Sequence, residues 1–375
     1  MSARYLLVSA LLLGALAACA PAASLAPAPA HAPAAAPSPA PSAALQALID
    51  GARKEGSLSF VWGGTTLDGN EGVRRHAAAF NKLYGLDLDE RFTPGPAMTQ
   101  MAQSLVQEQE TERTASTDVF IGYGDHMLTA IRGNALDAVD WANWAPNVRD
   151  PRSAAAGGMA VEYSAGLPGI TYNSTHVVGA AVPRTLQDLL KPEYKGRIAA
   201  QQAAAWFNHL AAPELWGEAQ TMEYVRQFAD QTAGFIRCTD HQRIAAGEFD
   251  LFALDCNNGN TLALKAQGAP VDFVAPADAP LIAPLYMAVP KRAAHPNAAK
   301  LWVNYVLSRE GQDLAYETDF ADSPVIPGSR TARDLERYLP ANTKPVAVDL
   351  DFYERNDPQE LSRIQTEQIR ILQGR

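Results

Sequence analysis

Cysteine is scarce: there are three in 375 residues, Cys19, Cys238 and Cys256, and no Cys-x-x-Cys among them. That rules out the paired-thiol motifs of zinc ribbons and thioredoxin-like redox centres. There are seven histidines but no His-Glu-x-x-His, so the helix-borne zinc-hydrolase pattern is missing too. Gly63-Gly64 is not followed by Gly-Lys-Ser/Thr, and Met127 stands where a third glycine would complete Gly122-Tyr-Gly-Asp-His. Neither a P-loop nor a dinucleotide fingerprint is therefore present. Glu162 replaces the first glycine a nucleophile elbow needs before Tyr163-Ser164-Ala165-Gly166. Basic charge is thin: 31 Lys plus Arg face 41 Asp plus Glu, for a net −10. Nucleic acids and anionic membrane surfaces select clustered Lys and Arg, so neither is an expected partner. No repeat at solenoid period is visible. Missing linear motifs still leave an enzyme open, because distant side chains can meet in a fold.

What is present is apolar bulk. Hydrophobic residues make up 47% of the chain, enough for a sizeable core in one or two domains. Residues 1–19 read as a signal peptide: Arg4 is the positive n-region, and Tyr5–Leu16 is an apolar run too short to span a bilayer. It ends in Leu16-Ala17-Ala18-Cys19, which resembles a bacterial lipobox. Cleavage there would leave Cys19 first, with a lipid on its thiol. The alternative is an ordinary leader cut after an Ala-x-Ala site such as Ala18-Cys19-Ala20. Residues 20–44 are Ala/Pro-rich and hold no aliphatic period, so they read as an extended, disordered tether.

Beyond the tether, strands and helices alternate. Helices are expected at Leu45–Lys54, Glu71–Leu83 (apolar at Val73, Ala77, Phe80 and Leu83), Ala97–Gln109 and His126–Arg132, with strands at Leu58–Trp62, Leu86–Phe92 and Asp118–Gly122 between them. Further on, helices are expected at Gln201–Leu210, Ala219–Gln231, Thr239–Gly247, Thr261–Gln267, Pro296–Leu307 and Pro358–Leu372. Such alternation predicts parallel α/β sheets. Ligands of such sheets bind at the carboxyl ends of strands. Those ends carry Trp62, Gly64, Thr65 and Thr66 after one strand, and Tyr123 and Asp125 after another. In the second half they carry Asp255, Asn257 and Asn258.

The stretch Tyr163–Ile198 organises the rest. Leu167–Tyr172 suits a strand, Thr185 can cap a short helix that Pro192 stops, and Lys195-Gly196 turns the chain into a strand at Arg197–Ala199. A chain leaving one lobe and starting another needs this series. Gly169-Ile-Thr-Tyr-Asn, Pro183-Arg-Thr-Leu-Gln-Asp-Leu and Tyr194-Lys-Gly-Arg-Ile resemble the lobe-crossing segment of bacterial extracellular solute-binding proteins, nearest the ferric-iron-type receptors of ABC importers. His295-Pro-Asn-Ala-Ala-Lys-Leu-Trp-Val-Asn-Tyr-Val-Leu-Ser-Arg-Glu-Gly-Gln resembles that family's penultimate helix pair. The resemblance covers Leu45 to Ile326. It implies an α/β, two-lobe periplasmic-binding-protein type 2 architecture, with two crossing strands and an interlobe cleft. The first lobe would comprise 45–168 and 277–375, and the second 169–276. It also implies a monomer without cofactor that delivers a solute to an inner-membrane ABC permease, in the periplasm or, for a cell with one membrane, on the cell surface. Closure would follow from ligand touching both lobes. An enzyme or a sensor subunit on the same scaffold is the competing class.

The resemblance makes one loop decisive. The family's iron receptors carry adjacent tyrosines after the second-lobe strand; the matching place here holds Asn257-Asn258. Neutral amides do not replace two phenolates on a trivalent cation, so a small polar organic solute is expected, with ferric iron or a ferric anion as the alternative. Backbone amides at Gly63–Thr66 would suit a carboxylate, phosphonate or sulfonate. Asp125 and Asp255 would suit an amine, and a zwitterion could use both. Trp62, Tyr123, Tyr163 and Trp206 would supply apolar walls, although core packing is the other reading of each. Cys238 and Cys256 each follow an expected strand. If those strands are neighbours the thiols can bridge; free thiols, or a metal site with Asp240, His241 and Asp255, are the alternatives.

Overall fold

The computed structural model describes residues 41–374 apart from Asn342. The expected leader, Cys19 and nearly all of the tether lie outside the described residues. Helix α1 (Ala43–Glu55) starts two residues early, because the Ser42 hydroxyl accepts from the Leu45 amide and caps it. Gly56, at φ 69°, ends it in the left-handed conformation that glycine adopts freely. Then follow β1 (Ser57–Trp62), α2 (Gly69–Tyr84), β2 (Asp89–Pro94), α3 (Met98–Glu110), β3 (Phe120–Gly122), α4 (Gly124–Arg132), the single turn α5 (Trp141–Trp144), β4 (Ala154–Ala155) and β5 (Ala160–Gly166). Along β1, Leu58, Phe60 and Trp62 point into the core, at the strand period of two. On α2 the buried stripe runs Val73, Ala77, Phe80, but Leu83 is 48% exposed. At about 100° per residue, Leu83 lies roughly 80° off the Val73 direction, and Tyr84 returns to it.

The second lobe contains β6 (Gly169–Asn173), β7 (Ile198–Gln201), α6 (Glu218–Ala229), β8 (Thr232–Ile236), α7 (Gln242–Ala245), β9 (Leu251–Asp255), α8 (Gly259–Ala266) and β10 (Val271–Val274). Its sheet order is β10-β6-β9-β7-β8. The chain then supplies β11 (Leu281–Ala288), α9 (Pro296–Val306), α10 (Arg309–Asp319), α11 (Arg330–Tyr338), β12 (Val346–Ala347), α12 (Leu350–Arg355) and α13 (Pro358–Leu372). Sheet membership changes between Gly166 and Gly169 and again between Val274 and Leu281. Ser308 caps α10, with its hydroxyl accepting from the Gly311 amide.

Four expectations need correction. Both large sheets are mixed, not parallel: β6 is antiparallel to β9 and β10, and β11 is antiparallel to β3 and β5. The strands that carry the chain out of one lobe and back run against most of their neighbours, β12 beside β11 being parallel. The expected strand at Leu167–Tyr172 starts later, as β6 at Gly169, and is preceded by a strand the sequence reading did not give, β5, which ends before Leu167-Pro168. The expected helix at Gln201–Leu210 is a turn followed by a short 3-10 segment, Phe207–Ala211. Trp206 sits at φ 70°, a left-handed conformation no α-helix carries. Finally, the tail does not stay with the first lobe. Helix α12 packs on α4 of the first lobe, while α13 packs on α6 and the Phe207–Ala211 turn of the second. Ile364 and Ile371 meet Ala211 and Met222 there.

Candidate functional site

Between the lobes lies a cleft of about 930 Å³, within the range of small-molecule sites. The β1 end brings Thr65 and Thr66 to it, α4 brings Asp125 and His126 with Tyr123 just ahead of them, and β5 brings Tyr163. The left-handed turn aims Trp206 at it, and the loop after β9 contributes Cys256 and Asn257. These are the expected site residues that converge.

Four expected residues do not reach the cleft. Trp62 is fully buried, and its indole N–H donates to the Val119 carbonyl at 2.7 Å. Gly64 lies outside the lining. Asp255 is fully buried behind the loop, with its Oδ2 2.7 Å from His241 Nε2 and accepting from Thr171 Oγ1 at 2.6 Å. Burial opposes charge on His241, but the Asp255 carboxylate outweighs it and raises the imidazole pKa. Asn258 is also buried, and its Oδ1 accepts from the Leu167 amide at 3.0 Å. It therefore clamps the loop to the chain between β5 and β6. Gly166 permits that close approach: a Cβ there would lie 2.6 Å from Asn257 Cβ.

Cys238 and Cys256 form a disulfide with Cα atoms 5.7 Å apart, and both line the cleft. The strands before them are not neighbours, since β7 lies between β8 and β9. The bridge spans the end of β7, where Gln201 Nε2 lies 3.9 Å from Cys238 Sγ. This pairing removes both thiolates from the metal alternative, and Asp240 is turned to Arg237 at 3.0 Å. Among the described residues, no group of three or more His, Cys, Asp or Glu side chains is placed to hold a metal ion.

Several cleft residues carry no sequence signal. Asp319, at the end of α10, accepts from the Leu67 amide at 2.9 Å and the Asp68 amide at 3.3 Å. Burial pushes its carboxyl up to about 7, against the pull of those two amides. His209 stacks on Trp206 with centroids 5.1 Å apart, and its Nε2 lies 2.8 Å from Tyr353 Oη. Burial holds its imidazole down to about 4, so it is neutral near pH 7. His126 Nδ1 lies 3.0 Å from Asp125 Oδ1, and its Nε2 lies 3.2 Å from Thr99 Oγ1. Burial pushes Asp125 up, but the hydrogen bond and charge of His126, with His209 behind, outweigh it and leave the carboxyl below its ordinary value. Tyr123 meets Trp206 edge to face at 5.5 Å. Burial raises the hydroxyls of Tyr123 and Tyr163. Three lining atoms are buried without a hydrogen-bond partner: Tyr163 Oη, Asn208 Oδ1 and His209 Nδ1. Among the described residues, no Lys or Arg lines the cleft.

Residues 116–356 match the family described as bacterial extracellular solute-binding protein. An uncharacterized protein of Haemophilus influenzae is 27% identical over 186 residues, 46% of this chain and 51% of that protein. The chain thus spans about half the length of that curated relative. The fold is similar to that of the periplasmic binding protein AfuA from Actinobacillus pleuropneumoniae, solved with exogenous fructose-6-phosphate bound. The TM-score is 0.66 and the identity 20%, over 84% of this chain and 98% of that one. Iron-bound HitA from Pseudomonas aeruginosa is similar at TM-score 0.61 and 18% identity, over 85% of this chain and 98% of that one. Two lobes around a cleft, and a family match that runs from the foot of β3 to the end of α12, make this chain a member of the bacterial extracellular solute-binding protein family.

Proposed function

We propose that the cleft captures a small polar organic solute and that the protein hands it to an inner-membrane ABC permease without changing it covalently. The observation that carries this reading is the set of unpartnered buried polar atoms in residues that line the cleft, Tyr163 Oη, Asn208 Oδ1 and His209 Nδ1. A buried polar group without a partner costs about 1–3 kcal/mol, and a solute with matching donors and acceptors recovers that cost. Ferric iron is the competing cargo. Against it stand the amides at Asn257-Asn258 and phenols that burial keeps neutral. Native mass spectrometry of protein purified without refolding should find a stoichiometric organic ligand; a coloured ferric complex that survives Asn257→Ala would overturn the reading. We also propose that Cys19 carries a lipid and tethers the body to the periplasmic face of a membrane through 20–42. Cys19→Ala should move the protein to the soluble fraction, and retention on membranes would refute the anchor.

One arrangement favours an enzyme instead. Thr99 Oγ1, the His126 ring and Asp125 stand in the order of nucleophile, base and orienting acid. His126 Nδ1, however, also lies 3.2 Å from the Tyr123 amide. Nδ1 cannot serve both: accepting from Tyr123 it leaves the proton on Nε2, facing Thr99, and donating to Asp125 it leaves Nε2 as a base. Turnover of a bound ester, abolished by Thr99→Val, would establish catalysis.

A further inference from the structure

We propose that the solute is an organic cation, an alkylammonium held between the Asp125 carboxylate and the faces of Tyr123 and Trp206. The inference rests on the solute-capture reading above and narrows it to one charge class.

The charge of the lining comes first. Among the described residues, Asp68, Asp125, Glu317 and Asp319 reach the cleft, and no Lys or Arg does. A carboxylate, phosphate or sulfonate entering here would give up its hydration and find no cationic side chain in return. Backbone amides are the other anion receptor a strand-to-helix turn can offer. In this protein part of that edge is already taken. The Thr66 amide donates to the Gly63 carbonyl, and the Leu67 and Asp68 amides donate to Asp319. Asp319 thus seats a carboxyl of the protein itself where an external anion would sit. The amide edge that reads from the sequence as a carboxylate or phosphonate receptor is thus partly filled by the protein itself, at Thr66 and the two amides after it.

The carboxylates then differ in availability. Asp319 is spent on those amides, and Glu317 is turned to Arg75 at 2.6 Å. Asp125 is 41% exposed at its side chain, and its one ion-pair partner is the imidazole of His126. It lies below the ordinary carboxylate range despite burial, so it enters the cleft as an anion. Beside it stand Tyr123 and Trp206, edge to face. Aromatic faces attract a desolvated cation through the ring quadrupole, and Trp does so best. Last, Asn208 lines the cleft in a residue 6% exposed, and its buried Oδ1 is an acceptor with no donor. An ammonium is a donor without acceptors and completes it.

Calorimetry on the purified protein, stripped of ligand by dialysis, tests the charge class with four probes: 1,4-diaminobutane, choline, inorganic phosphate and succinate. At least one ammonium probe should bind, with Asp125→Asn weakening it at least tenfold and Trp206→Leu by a similar factor, while Asp125→Glu restores most of the affinity. Unchanged thermal melting of Asp125→Asn separates lost binding from lost folding. Phosphate or succinate binding while both ammonium probes fail would overturn the cation class and leave solute capture standing. Ammonium binding indifferent to Asp125→Asn would overturn the assigned site. If no probe of either sign binds, and native mass spectrometry finds no ligand, solute capture falls with it.

Discussion

Asn257 and Asn258 are adjacent and chemically identical, yet they do opposite work. Asn257 faces the cleft, with its Oδ1 fixed by the Gly259 amide at 2.9 Å, while Asn258 is turned inward to Leu167. Strand period would have sorted them had β9 stayed regular. Leu254 sits at φ 46°, and the β6–β9 register slips between Gly169 and Thr171. Such an irregularity re-aims the side chains that follow it, and nothing in the residue types announces it. The same slip explains why Asp255, a natural amine receptor by sequence, is a buried partner of His241. Asp255→Ala should therefore appear as a folding defect. Removing one member of a buried pair costs roughly 3–5 kcal/mol, read as a lower urea midpoint. Asn257→Ala should instead leave that midpoint in place and weaken ligand by about ten- to a hundredfold, at 1.4 kcal/mol per decade. Equal stability of both variants would refute the division of labour.

At the scale of elements, the amphipathic helices were legible. α1, α3, α6, α9 and α13 fall within two residues of their expected ends, because the apolar period marks them, helped by the Ser42 cap and Gly56 stop on α1 and by Pro in the first turn of α9 and α13. The turn at Gln201–Leu210 was not legible, since Trp206 and Phe207 look like a helix's apolar face until Trp206 adopts a left-handed backbone. Asp319, His209 and Tyr353 were missed for a related reason. They reach the cleft from helix ends and a turn, where no strand edge marks them. The disulfide was legible as two cysteines past two strands, although the strands proved not to be neighbours. It closes an 18-residue separation, for which the loop-entropy relation gives about 3 kcal/mol. Reduction, or Cys238→Ser with Cys256→Ser, should lower unfolding free energy by about that amount. Reactive thiols in the denatured, unreduced protein would show that the bridge is absent.

At the scale of the whole molecule, the described chain crosses between lobes more often than the two crossing strands require. Between α12 on the first lobe and α13 on the second lie only Asn356 and Asp357. α13 is tied down by Gln365 Nε2 donating to the Ala203 carbonyl at 2.8 Å and Gln368 Nε2 to the Phe207 carbonyl at 3.1 Å. Those carbonyls flank Trp206. If the lobes part, so short a link leaves little slack, and α13 must either restrain the swing or peel from its seat. Local opening of that kind is visible to solvent deuterium long before the molecule unfolds. Backbone amides of α13 should therefore exchange faster in the empty protein than in the loaded one, while those of α9, packed within the first lobe, keep one rate in both. Helix α13 becomes a clock for ligand release, readable without knowing the cargo.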